Sequence, residues 1–146
     1  MNEHSTVERY APFLGRLLMG GMFLVNAVGL IGAFTDVAEL MKHKGIPFDT
    51  PLLAVTIAVW LIGAFSIISG YRIRQISLLL IIVLIPVTVG IHAPWNAVQS
   101  DIQNQLNHFL KNIAIIGGLL YMAAFGPGPL ALRVDEKKRR RQRLAV

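Results

Sequence analysis

Four long runs without Asp, Glu, Lys or Arg organise this chain, at residues 17–35, 50–71, 75–100 and 112–132. About 20 apolar residues at ~1.5 Å rise cross a ~30 Å hydrocarbon core, so each run predicts a membrane-spanning helix. Pro12 suits the first turn of the first span, over about 12–33. Thr50 and Pro51 form an N-cap and first helical position for the second, about 51–70. Only Tyr71-Arg72-Ile73-Arg74 separates it from the third, about 75–94, which predicts a tight antiparallel hairpin, with Pro86 kinking the third span. Ser100 and Gln103 have capping-box spacing, so the last helix starts in the loop. Its span covers about 107–126 and stops at Gly126-Pro127-Gly128-Pro129. Between the first two spans, Asp36 and Glu39 fit an N-cap and its third residue. Val37, Leu40 and Met41 make an apolar stripe, and Gly45-Ile46-Pro47 ends it. The expected fold class is an all-α membrane protein. It is an antiparallel four-transmembrane-helix bundle, with a short extracytoplasmic amphipathic helix between helices 1 and 2. Residues 1–132 form its single domain and 133–146 a basic cytoplasmic tail.

Composition removes the soluble alternatives. Of 146 residues, 54% are hydrophobic and 15% charged, against roughly 25% charged in ordinary globular chains. Four spans leave no room for a soluble catalytic domain. Without cysteine, the chain itself can build no dithiol relay, iron–sulfur cluster, covalent haem link or thiolate zinc site. Glu3, Glu8 and Arg9 precede the first span where a signal peptide would carry a basic region, so that span is expected to be retained. Eleven of the fourteen Lys and Arg residues lie at the N-terminal end, in the 71–74 hairpin and in the tail; Lys42, Lys44 and Lys111 lie in the other two connections. The excess of positive charge places both termini and the hairpin in the cytoplasm, in a plasma (bacterial inner) membrane. The tail, Lys137 to Arg143, follows a span directly and reads as a contact for anionic membrane lipids, not nucleic acid. Arg16, one turn inside the first span, is expected to snorkel to the cytoplasmic headgroups.

Polar side chains at membrane depth each need a partner or a purpose. Counted along the spans, Asn26, Thr56, Trp60, Thr88, His92, Lys111 and Asn112 all gather towards the outer leaflet. Thr88 and His92 are four apart, as are Asn104, His108 and Asn112, so each set shares a helix face. Two readings follow. Asn26, Trp60, Thr88, His92, Lys111 and Asn112 line an outward-facing interhelical pocket, with the His92 imidazole able to exchange protons. Alternatively, they satisfy one another as structural hydrogen bonds. Trp95 fits an interfacial belt. No metal site is expected, because no carboxylate accompanies His92 and His108 at their depth. The small-residue pairs Gly29/Ala33, Ala54/Ala58, Ser66/Gly70 and Ala114/Gly118 mark where backbones can approach, and flat Gly/Ala faces are compatible with a homodimer.

Several stretches together resemble the DoxX family of small four-span membrane proteins. They are Gly15-Arg16-Leu17-Leu18-Met19-Gly20-Gly21-Met22-Phe23-Leu24, Gly45-Ile46-Pro47 and the His92…Trp95 pair. The most specific is Phe109 to Leu120 (FLKNIAIIGGLL) followed by Gly126-Pro127-Gly128. The resemblance covers roughly residues 12–130. Two positions depart from it: Leu30 stands where the family often has Lys, and Trp60 where it has Glu, which implies a lost ion pair. The resemblance implies association with an oxidoreductase or an oxidative-stress redox partner protein, with quinone as the bound cofactor. The composition instead favours a non-enzymatic scaffold, or a binder or carrier of lipid or other small apolar molecules, with no intrinsic cofactor.

Overall fold

The computed structural model describes residues 6–92 and 94–132, so the tail expected at 133–146 lies outside the described residues. The described chain is all helical: α1 (Thr6–Gly32), α2 (Phe34–His43), α3 (Asp49–Ser69), α4 (Ile73–Ile91) and α5 (Ile102–Phe125), with a 3-10 turn at Pro94–Asn96 between α4 and α5. α1, α3, α4 and α5 are each long and apolar enough to cross a membrane. Their outward faces carry Leu18, Val25, Phe65, Ile82 and Phe125, all strongly exposed. Such a periphery is soluble only in lipid, and the protein is a four-span integral membrane protein.

Several helix starts differ from the expected ones. α1 begins at Thr6, one and a half turns before Pro12, which lies inside the helix. α2 begins at Phe34, with Ala33 and not Asp36 at its N-cap. α3 begins at Asp49, whose carboxylate accepts from the Thr50 amide and hydroxyl (2.5 and 2.7 Å); Thr50 is therefore helical and does not cap. α5 begins at Ile102 after Asp101, and no side chain caps its backbone. The Ser100–Gln103 spacing is thus not used. Asp101 accepts from the Asn104 and Gln105 side chains instead (3.1 and 2.8 Å), and this competing local bond draws off the cap acceptor.

The helices pack in the order α1–α3–α4–α5, with α1 against α3 and α5 against α4. The core runs down this row through Phe23, Ala27, Trp60, Ala64, Ile67, Leu80, Leu84 and Leu119. α1 comes closest to α3 at Gly20, where an added Cβ would lie 2.5 Å from Ile68 Cγ1 and 2.8 Å from the Ala64 carbonyl oxygen. Gly63 leaves similar room for Leu80 of α4. The pair expected at Gly29 and Ala33 makes no such approach, since Gly29 faces open space. α2 folds back on α3, where Met41 packs with Leu53 and Ile57. Leu40, read as part of the same stripe, is exposed.

At the hairpin end the chain after α5 turns back beneath the bundle. The Leu132 amide donates to the Ser69 carbonyl (2.9 Å), and Gly128 sits against Pro12. Arg16 does not snorkel. It is 1% exposed, lies over the Phe13 ring, and donates to the carbonyls of Ile68 (3.4 Å) and Leu130. The last turn of α3 and the returning segment 126–132 both present carbonyls there, so the guanidinium finds acceptors inside the protein and need not reach the headgroups.

Candidate functional site

The opposite end of the bundle holds two connected polar assemblies. The first is a cleft lined by Met22, Phe23 and Asn26 of α1, Trp60 of α3, Leu84 of α4, and Lys111, Asn112 and Ile115 of α5. Its free volume is ≈ 20 Å³, room for about one water molecule. It lies where α1 and α5 face each other across the row, and side chains more than backbones close that seam: Met19 of α1 reaches Gly118 of α5.

Most polar groups here are satisfied close to home. Asn26 donates to Met22 O (2.7 Å), Thr56 to Leu52 O (2.8 Å) and Thr88 to Leu84 O (2.7 Å), each four residues back on its own helix. Such bonds let an isolated polar side chain live in lipid without crossing to a neighbour. Asn112 crosses between helices: its Nδ2 donates to Thr88 Oγ1 (3.0 Å), both side chains buried, and ties α5 to α4. Trp60 is the exception. Its ring packs edge-on against Phe23 (5.8 Å between centroids), its residue is 8% exposed, and its indole N–H has no acceptor among the described residues.

The second assembly is a relay at the membrane-edge end of α5. Gln105 Nε2 donates to Asp101 Oδ2 (2.8 Å), which turns Gln105 Oε1 towards His92 Nδ1 at 3.1 Å. A carboxylate can only accept, so the amide orientation is set by Asp101, and His92 donates through Nδ1–H. The His92 ring stacks on His108 (4.7 Å, 16°), and Lys111 Nζ lies 3.4 Å from His108 Nδ1. Lys44 donates to Ile91 O (3.0 Å) beside His92, capping the end of α4 with a cation. Lys111 is therefore common to the relay and the cleft.

His92 follows the last residue of α4, outside the span. Burial holds its imidazole below the ordinary histidine range; the charges of His108, Lys111 and Lys44 add to this, and the Gln105 hydrogen bond opposes it. The folded protein therefore resists a proton that the unfolded chain accepts. The neutral ring's contribution is complete above the unfolded value of ~6.5 and is lost as pH falls through it towards the folded value. Thermal unfolding in detergent is expected to show a midpoint that drops between about pH 8 and about pH 5, and His92→Gln should flatten that dependence. An equal slope in the variant would remove His92 from the account.

Of the six residues expected to form a pocket, the structure brings Asn26, Trp60, Lys111 and Asn112 to the cleft. Thr88 stands behind Asn112 and His92 belongs to the relay, both outside the lining. Gln105 and Asp101 join the site only in the folded structure, although their four-residue spacing on one helix face signals the contact. Trp95 is exposed and packs edge-on against Phe109 (5.7 Å).

A family described as the SURF4 family matches residues 46–141. The chain is also 26% identical over 121 residues, covering 82% of its length and 85% of the relative's, to a protein named inner membrane protein YphA from Escherichia coli (strain K12). No solved structure matches significantly. The family match overturns the DoxX resemblance. The stretches Phe109–Leu120 and Gly126–Gly128 that carried it lie inside the matched region. Small residues on an apolar helix and a Gly-Pro stop after it serve any tightly packed span, so they do not discriminate between families. With that family set aside, Leu30 and Trp60 no longer mark a lost ion pair.

Proposed function

The chain belongs to the SURF4 family, and within that frame we propose that it is a non-enzymatic membrane protein that binds or carries a lipid or another small apolar molecule in the α1–α5 cleft. The observation that carries this reading is Trp60, which lines the cleft and whose buried indole N–H has no acceptor among the described residues. An unpaired buried donor costs about 1–3 kcal/mol, a deficit that a ligand oxygen removes. The free volume is about that of one water molecule, so a headgroup oxygen enters while the tail lies along the seam. The same reading keeps both termini and the hairpin cytoplasmic by the distribution of Lys and Arg, and so sets the cleft in the far leaflet. The E. coli relative's inner-membrane name supports a bacterial inner membrane.

The test is mass spectrometry of the organic extract from purified protein. An amphiphile is expected to copurify, and Trp60→Phe, which keeps a ring against Phe23, should reduce its amount about fivefold, as loss of ~1 kcal/mol implies. An extract indistinguishable from that of an unrelated four-span protein would end this reading. So would retention unaffected by Trp60→Phe.

A further inference from the structure

We propose that the molecule held in the cleft carries an anionic oxygen group, a carboxylate or a phosphate, which pairs with Lys111. This rests on the binding reading above and names the ligand class it left open. Lys111 lies at the cleft beside Trp60 and Asn112. Its one polar contact is to a ring nitrogen of His108 at 3.4 Å, and among the described residues no carboxylate pairs with it. Of the acids at this end of the bundle, Asp101 accepts from Asn104 and Gln105 and Asp49 from Thr50, while Asp36 and Glu39 lie on α2. Lys111 is exposed, so an anionic group presented from the membrane surface reaches its ammonium.

Depth points the same way. Asn112, the next residue, bonds Thr88, three residues from the end of α4, about 4.5 Å along the axis. Lys111 therefore stands at the level where lipid phosphates and carboxylates reside. Trp60 also lines the cleft, and its indole N–H, without an acceptor among the described residues, is a second donor for another oxygen of the same group. Towards the hairpin end, Met19, Met22 and Met122 pack on the core with Ile115 and Ile116. Unbranched thioether side chains yield to an acyl chain at low cost, so a tail has a path.

The full-length chain with Trp95→Phe keeps Trp60 as its single tryptophan, and its fluorescence reports occupancy of the cleft. The probes are a fatty acid bearing a doxyl quencher close to its carboxylate, the methyl ester of the same molecule, and brominated phosphatidate and phosphatidylcholine. The acid is expected to bind about ten- to a hundredfold more tightly than the ester, the value of one charge-assisted contact. Lys111→Gln should bring the acid to the ester's level, and Lys111→Arg should keep the preference. Selective quenching by phosphatidate over phosphatidylcholine, lost in Lys111→Gln, would support the proposal with phosphate as the source. Equal binding of acid and ester, or a preference that survives Lys111→Gln, overturns the anionic ligand while the cleft still binds. Absence of saturable quenching by every probe overturns both readings together.

Discussion

Arg16→Leu is expected to lower stability by about 3 kcal/mol and to release the segment after α5 from the hairpin end. Arg16 is a full-length charged side chain with almost no exposure, and its guanidinium joins the Ile68 and Leu130 carbonyls across the gap between α3 and the returning chain. Leucine fills part of that volume but accepts and donates nothing, so both carbonyls lose a partner at about 1–3 kcal/mol each. Relief of a buried charge offsets part of this. Gly70 packs against the same guanidinium with φ 77° at the end of α3, a conformation that glycine tolerates best. Thermal unfolding in detergent measures the loss. Amide exchange over residues 126–132 separates it from a general loosening, since Leu132 N–H to Ser69 O should become the weakest bond there. Unchanged exchange in that segment would show that Arg16 does not hold it.

Gly20→Leu should be as severe, at about 3 kcal/mol, through contact with backbone rather than loss of a hydrogen bond. A Cβ at Gly20 already meets the Ala64 carbonyl at 2.8 Å and Ile68 Cγ1 at 2.5 Å. The Ile68 side chain can rotate, but the carbonyl cannot withdraw without moving α3. α1 must then separate from α3 along the contact that also seats Phe23 on Trp60. Gly29→Leu is the control, because nothing lies within 4 Å of a Cβ there. Equal unfolding midpoints for the two variants would contradict the packing described for α1 and α3. The same variant should disturb the cleft, since the Trp60 indole is positioned from that contact.

The two ends of the protein divide its tasks. At the hairpin end, Arg16 and the returning chain stitch α1, α3 and the segment after α5 together. At the far end, α5 is held to α4 by Asn112 and Thr88 within the membrane and by the His92–Gln105–Asp101 relay at its edge. Of the four spans α5 buries the least of itself, with Asn112 and Leu119 as its only buried residues. A helix so lightly seated on its α1 side suits the proposed entry of a tail from the bilayer.

The spans, their number and the helix between the first two were legible from the sequence by itself, because in lipid the backbone has no alternative to helix over ~20 apolar residues. Concentration of polar residues at one end was legible too, since rise per residue converts position to depth. Partners were decided by the tertiary structure alone. Whether Thr88 meets Asn112, whether His92 faces the cleft or Gln105, and whether Arg16 reaches headgroups or carbonyls all depend on rotation of one helix against another. Small residues spread around every span leave that rotation open. The family resemblance failed for a related reason: its residues serve helix packing in general, and packing needs are shared by chains of different descent.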